Sequence, residues 1–173
     1  MIYVIAAWLV ADMISGVVHW WEDRYGNPEW PILGTFVVKP NIRHHLSPRE
    51  LAGLGYWERN WTTILPALIA ASAFYACGWT FAATVAAMVS QANEVHAWSH
   101  RRCSRPVRGL QLLGVLCSPE QHSEHHRRPF DRNYCTMSDW MNPLLSAFGV
   151  WEALEYCVFV GIGVRPREER ATA

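Results

Sequence analysis

Apolar residues in this chain gather into long runs instead of alternating stripes, and the polar residues gather between the runs. A helix that crosses a bilayer needs about 20 mostly apolar residues at ~1.5 Å rise each. Residues 1–21 qualify, with Asp12 and Ser15 as the polar exceptions. Residues 61–77, "WTTILPALIAASAFYAC", and 79–98, "WTFAATVAAMVSQANEVHAW", give a second and a third candidate. Both are rich in the small residues that let helices approach closely in lipid. Only Gly78 separates them, which predicts an antiparallel hairpin. Residues 141–164 form a fourth apolar run, but Glu152 and Glu155 lie inside it, so an interfacial helix with a short apolar end fits too. "WPILGTFVV", 30–38, is too short to span and reads as a re-entrant or surface-lying piece. No repeat or low-complexity segment interrupts 1–164, which is expected to be a single domain followed by a disordered tail, 165–173.

Connectivity makes this pattern informative. If the first helix emerges on one face, 22–60 lies there, the second helix leaves that face and the third returns to it. His19 ends the first helix, His44 and His45 follow it, His96 and His100 end the third, and His122, His125 and His126 come next. All eight histidines therefore share one side of the membrane, together with twelve of the fifteen basic residues. The excess of basic residues marks that side as cytoplasmic. The expected fold is all-α: an integral, multi-pass bundle of about four transmembrane helices with a histidine-rich cap on the cytosolic side. The first helix lacks a basic leader and a small-residue cleavage site, so it is expected to be retained and not removed as a signal peptide.

Composition narrows the chemistry. Fifteen basic residues balance fifteen acidic ones, which gives no global attraction to nucleic acid. Five scattered cysteines contain no CxxC pair and make no disulfide framework. The histidines are different, because none stands alone. "HWWED" sets His19 and Asp23 at i, i+4; "RHHLSP" supplies His44 and His45, which on a helix point about 100° apart and so suit different metal ions. "HAWSH" sets His96 and His100 at i, i+4, and "HSEHH" puts His122, His125 and His126 on one helical face. Imidazole suits iron, zinc, copper and nickel. Eight imidazoles exceed what one structural zinc needs, whereas two ions could share them with Asp23. Asn93, three residues before His96, is expected to orient an imidazole in preference to Glu94. Asp12 is costly inside an apolar span, which marks it as functional or as a bonding partner of a neighbouring helix. A histidine cage at a membrane face fits oxygen chemistry on lipid, because no side chain attacks an unactivated C–H bond and a redox metal does.

Taken together, "DMISGVVHWWEDRYG", "RHHLSP", "NEVHAWSH" and "HSEHHRRPFDRNYC" resemble the plasmanylethanolamine desaturase family, part of a lipid desaturase superfamily that includes plastid phosphatidylglycerol desaturases. The resemblance covers roughly residues 9–156, with the motifs in the family's order. It implies a membrane enzyme with two iron ions, using O2 and two electrons to place a double bond in a phospholipid chain. In the plasmalogen branch an alkyl ether becomes a vinyl ether. The implied electron donor is cytochrome b5 or ferredoxin with its reductase. The implied ligands are His19, His44, His45, His96, His100, His122, His125 and His126, with Asp23 and Asp12 as acidic motif positions and Glu155 matching a family glutamate. Where the family often has two adjacent histidines, this chain has Gln121 and His122. A bacterial inner membrane is the expected location. A fatty-acyl desaturase on the same site and a zinc-dependent lipid hydrolase are the competing readings. A metal transporter would need a polar path that Asp12 alone does not make.

Overall fold

The computed structural model describes residues 1–167, and among these every regular element is helical. Helix α1 (Ile2–Arg24) is the axis of the molecule. It is also the one described helix that is by itself long and apolar enough to cross a membrane. The expectation of four spans is not confirmed. Helix α4 (Tyr56–Ala76) starts in a polar turn with Arg59 and Asn60 buried. Helix α5 (Thr80–Val89) has ten residues, about half the rise that the ~30 Å hydrocarbon layer needs. A turn at Ser90 and Gln91 separates it from α6 (Ala92–Ser99). The last apolar run is also two helices, written here as α9 (Met141–Ala147) and α10 (Val150–Ile162). They meet at an angle of 60°. Gly149, with φ 59°, supplies the left-handed residue between them. If that bent pair is one span, the structure has two candidates.

Two other local expectations are met. Gly78, at φ 77°, closes the tight connection between α4 and α5, which pack as a hairpin with α5 against α1. Residues 30–38 lie at the surface with Ile32, Leu33 and Phe36 exposed, ending in a π-helical turn, Gly34–Val38. That turn runs directly into α2 (Lys39–Leu46), followed by α3 (Pro48–Gly53). Helices α7 (Arg105–Leu112) and α8 (Pro119–His125) follow α6, and the Ser118 hydroxyl caps α8 by accepting from Gln121 N–H.

Small residues let neighbours come close to α1. Ala7 and Ala11 pack with Val85, Ala92 and Met137 on its first half. Farther along, residues 134–138 run beside α1 as irregular backbone, and several of their polar groups bond to α1 and α9. Met137 N–H and the Ser138 hydroxyl donate to the Asp12 carboxylate at 2.8 and 2.6 Å, and Thr136 N–H donates to Ser15. Asn142 exchanges two hydrogen bonds with the backbone of Cys135. A side chain at Gly16 would collide with Cys135 Sγ, so the segment sits this close only because α1 has a glycine there. Trp20, Tyr134, Leu145 and Trp151 then fasten α9 and α10 to the far end of α1. That end also holds the start of the expected tail. Arg167 donates from its backbone to Arg24 C=O and from its guanidinium to Asp23 and Gly26 C=O. The first residues of 165–173 are thus docked, and 168–173 lie outside the described residues.

Candidate metal centre

Four helices deliver histidines to one place: α1 with His19, α2 with His44 and His45, α6 with His96 followed by His100, and α8 with His122 and His125 followed by His126. All eight converge, as the connectivity argument requires. They divide into two groups, each with ligand atoms within 4.8 Å of one another. One is His44, His96, His100, His122 and His126; the other is His19, Asp23, His45 and His125. The adjacent His44 and His45 fall into different groups, as their angular separation on α2 dictates.

The second group is organised by backbone carbonyls. Nδ1–H of His19 donates to Tyr134 C=O at 3.1 Å, and Nδ1–H of His125 donates to Arg132 C=O at 2.8 Å. A carbonyl only accepts, so in the neutral ring each Nε2 carries a lone pair. Both Nε2 atoms face Asp23 Oδ2, at 3.6 Å from His19 and 3.3 Å from His125. The other Asp23 oxygen accepts from Asn41 Nδ2 and lies 3.0 Å from His45 Nε2. Three acceptors pointing at one another repel unless a cation lies among them.

The first group poses the same problem with nitrogen alone. His122 Nε2 lies 2.8 Å from His96 Nε2 and 3.1 Å from His126 Nε2. One proton can bridge only one of those pairs. Nitrogens bound to one ion at right angles, with bonds of about 2.1 Å, are about 3 Å apart. Buried nitrogens with no hydrogen-bond partner include both of His44, Nε2 of His100, and Nδ1 of His122 and His126. A buried polar atom left unsatisfied costs about 1–3 kcal/mol, so an ion bound among these nitrogens would relieve a cost that the protein alone does not. Burial pushes His100 down to about 4 and His126 to about 2, and neighbouring histidines reinforce both shifts; His44 and His122 are lowered for the same two reasons. These rings are neutral at pH 7 and have lone pairs to offer. The donor set is imidazole and carboxylate with no thiolate, which fits iron, zinc or copper and not a closed cysteine-rich structural site.

Three sequence-predicted residues lie elsewhere. Asp12 holds the 136–138 backbone and reaches His19 only through the Tyr134 carbonyl carried by the same segment. Asn93 donates to Arg59 C=O, so it faces α4 and not an imidazole, because α6 packs against the buried polar start of α4. Glu94 also turns to α4 and its surroundings, accepting from Arg59, Asn60, Trp98 and Arg101. Glu155 pairs with Arg24 Nε at 2.6 Å, outside both groups. Position 121 is resolved as well: Gln121 donates to Asp139 C=O, away from the cage, so a histidine there is not required by this geometry. Sequence reasoning missed Asn41 and the carbonyls of Tyr134 and Arg132, which orient the second group. Asn41 sits four residues before His45 on α2, a spacing that could have pointed to it.

Residues 8–169 match the lipid desaturase domain. The chain is 30% identical to a plasmanylethanolamine desaturase of Myxococcus xanthus, covering 96% of this chain and 63% of that protein. It is 30% identical to plasmanylethanolamine desaturase 1 of Mus musculus, over 96% of this chain and 67% of the relative. It is 34% identical to the chloroplastic fatty acid desaturase 4 of Arabidopsis thaliana, over 94% of this chain and 52% of the relative. The chain thus spans between about half and two thirds of the length of these proteins. No solved structure matches.

Proposed function

The chain belongs to the lipid desaturase family, and from that premise we propose that it is a multi-pass membrane enzyme that desaturates an ether phospholipid at a two-iron centre. The single observation that carries this reading is the division of nine donors into two adjoining groups, each with acceptors facing acceptors. His44, His96, His100, His122 and His126 would hold one iron; His19, Asp23, His45 and His125 would hold the other. When bound, the irons supply the activation of O2 that breaks unactivated C–H bonds.

The protein's own groups do the positioning. The Tyr134 and Arg132 carbonyls fix the tautomers of His19 and His125, so that each Nε2 faces inward. Asn41 holds the Asp23 carboxylate in place from the opposite oxygen. Burial of His122 and His125 keeps bulk water from the donors. The balance of the reaction is plain. Two hydrogens leave adjacent carbons with two electrons, a donor provides two more, and O2 with four protons becomes two waters. In the vinyl ether outcome the new double bond adjoins the ether oxygen. The family name of two relatives favours that outcome. The similarity to the chloroplastic fatty acid desaturase supports a second reading, in which the same centre acts on an ester-linked chain.

Elemental analysis of chain purified without added metal tests the centre, and lipid analysis of a host with and without the gene tests the substrate. About two irons per chain and a gene-dependent, acid-labile vinyl ether support the proposal. A gene-dependent change in ester-linked unsaturation selects the second reading. Zinc alone, with no dependence on O2, overturns both in favour of a hydrolase.

A further inference from the structure

The five-histidine group is partly exposed at His100 and at His126. His100 is only partly buried, yet its ring lies 4.6 Å, centre to centre, from both His44 and His122. On its outer side it lines a cavity of about 690 Å³ with Arg49, Ser99, Arg101 and Arg102. A second cavity of about 490 Å³ shares Arg49, Ser99 and His100 with it, so the two form one mouth. Neither is lined by a carboxylate.

Two of the three arginines at this mouth, Arg49 and Arg102, are uncommitted. Several cations elsewhere are paired: Arg24 with Glu155, Arg43 with Glu50, Arg59 with Glu94 and Arg108 with Glu120. Arg101 gives one nitrogen to Glu94, at 2.7 Å. Arg49 and Arg102 are exposed and make no ion pair among the described residues. Position points away from the bilayer. Tyr56, Trp57 and Trp61 are exposed on the first turns of α4, where an interfacial aromatic belt belongs. The mouth is built from residues just before that belt in the chain and just after α6, which in the membrane reading sets it on the water side.

We propose that the mouth lined by Arg49, Arg101 and Arg102 is the docking surface for an acidic, soluble one-electron carrier protein. This rests on the desaturase reading, which requires two electrons from outside. A carrier seated there places its redox group against a ring of the five-histidine group, and electron transfer weakens steeply with distance. Each encounter oxidises the carrier by one electron, and two encounters supply the pair that the C–H bonds do not. Opposite charge at the rim speeds encounter and makes it salt-dependent. A phosphate-bearing lipid headgroup is the other anion of suitable charge, but the aromatic belt puts it on the wrong side of the mouth.

The test uses the full chain in detergent with two acidic probes, a plant-type [2Fe–2S] ferredoxin and the soluble haem domain of a cytochrome b5, each immobilised. The native chain should be retained by at least one probe at low salt and released by about 0.3 M NaCl. R49E/R102E should lose retention at least tenfold, and R49K/R102K should keep it. Equal metal content in the three chains shows that each is folded. The ratio of carrier-driven to dithionite-driven desaturation should also fall at least tenfold in R49E/R102E. Retention by neither probe, a ratio within twofold of native, or a matching loss of both rates through weaker lipid binding overturns the docking surface. A native chain that dithionite cannot drive counts against the desaturase reading instead, and the retention result still decides the docking surface.

Discussion

At the scale of single residues, the backbone decides which nitrogen of an imidazole remains for a metal. The carbonyls of Tyr134 and Arg132 have claimed Nδ1 of His19 and His125, so Asp23 meets two lone pairs. Asp23→Asn removes the charge that an ion in this group needs, and the chain should lose about one metal per molecule by elemental analysis while retaining the other. His122→Ala takes away the nitrogen that both His96 and His126 approach. It should empty the five-histidine group and leave activity at background. Asp12 acts at one remove, since it holds the segment that carries the Tyr134 carbonyl. Asp12→Ala should cost about 2 kcal/mol from lost charged hydrogen bonds, read as a lower melting temperature. Protonation runs in a fixed direction. His100 has its folded-state value lowered to about 4, so between pH 6.5 and 4 the unfolded chain binds more protons than the native one. Stability of metal-free protein should therefore fall as pH drops through that window, in thermal melts at stepped pH.

Elements are held together by polar contacts as much as by apolar ones. Glu94 on α6 takes both Nε and a terminal nitrogen of Arg59 on α4, with Asn60, Trp98 and Arg101 completing its shell. Breaking a buried pair from one side leaves the other charge stranded, at about 3–5 kcal/mol. Arg59→Met should lower the melting temperature markedly and loosen an ion bound at His96 and His100. This network also shows what the sequence could reveal. Grouped spacings and connectivity brought all eight histidines to one face, and the 100° step between His44 and His45 predicted their separation. Asn93 was misread because helical geometry gives its direction relative to His96 but not which neighbour lies on that side; a buried arginine on α4 does. The span count stays unconfirmed for a related reason. Hydropathy sees the apolar run 79–98 but not the turn at Ser90 and Gln91 that cuts it, nor the 60° bend between α9 and α10.

For the molecule as a whole, the proposed metal centre would tie metal binding to folding. The histidine groups join four helices that otherwise meet through few contacts, and their unsatisfied nitrogens penalise the empty state. An ion present at a thousand times its dissociation constant stabilises the native state by about 4 kcal/mol. Chelation should therefore lower the melting temperature, and limited proteolysis should begin in the connections around α2 and α8 before it reaches α1.

The same interleaving sets an order of events during synthesis. His19 is translated long before the carbonyl that orients it, which belongs to Tyr134, 115 positions later. A nascent chain that has released α1, α2 and α6 but not α8 holds neither complete group of donors. In the two-iron reading, neither iron meets its full set of donors until α8 has been made.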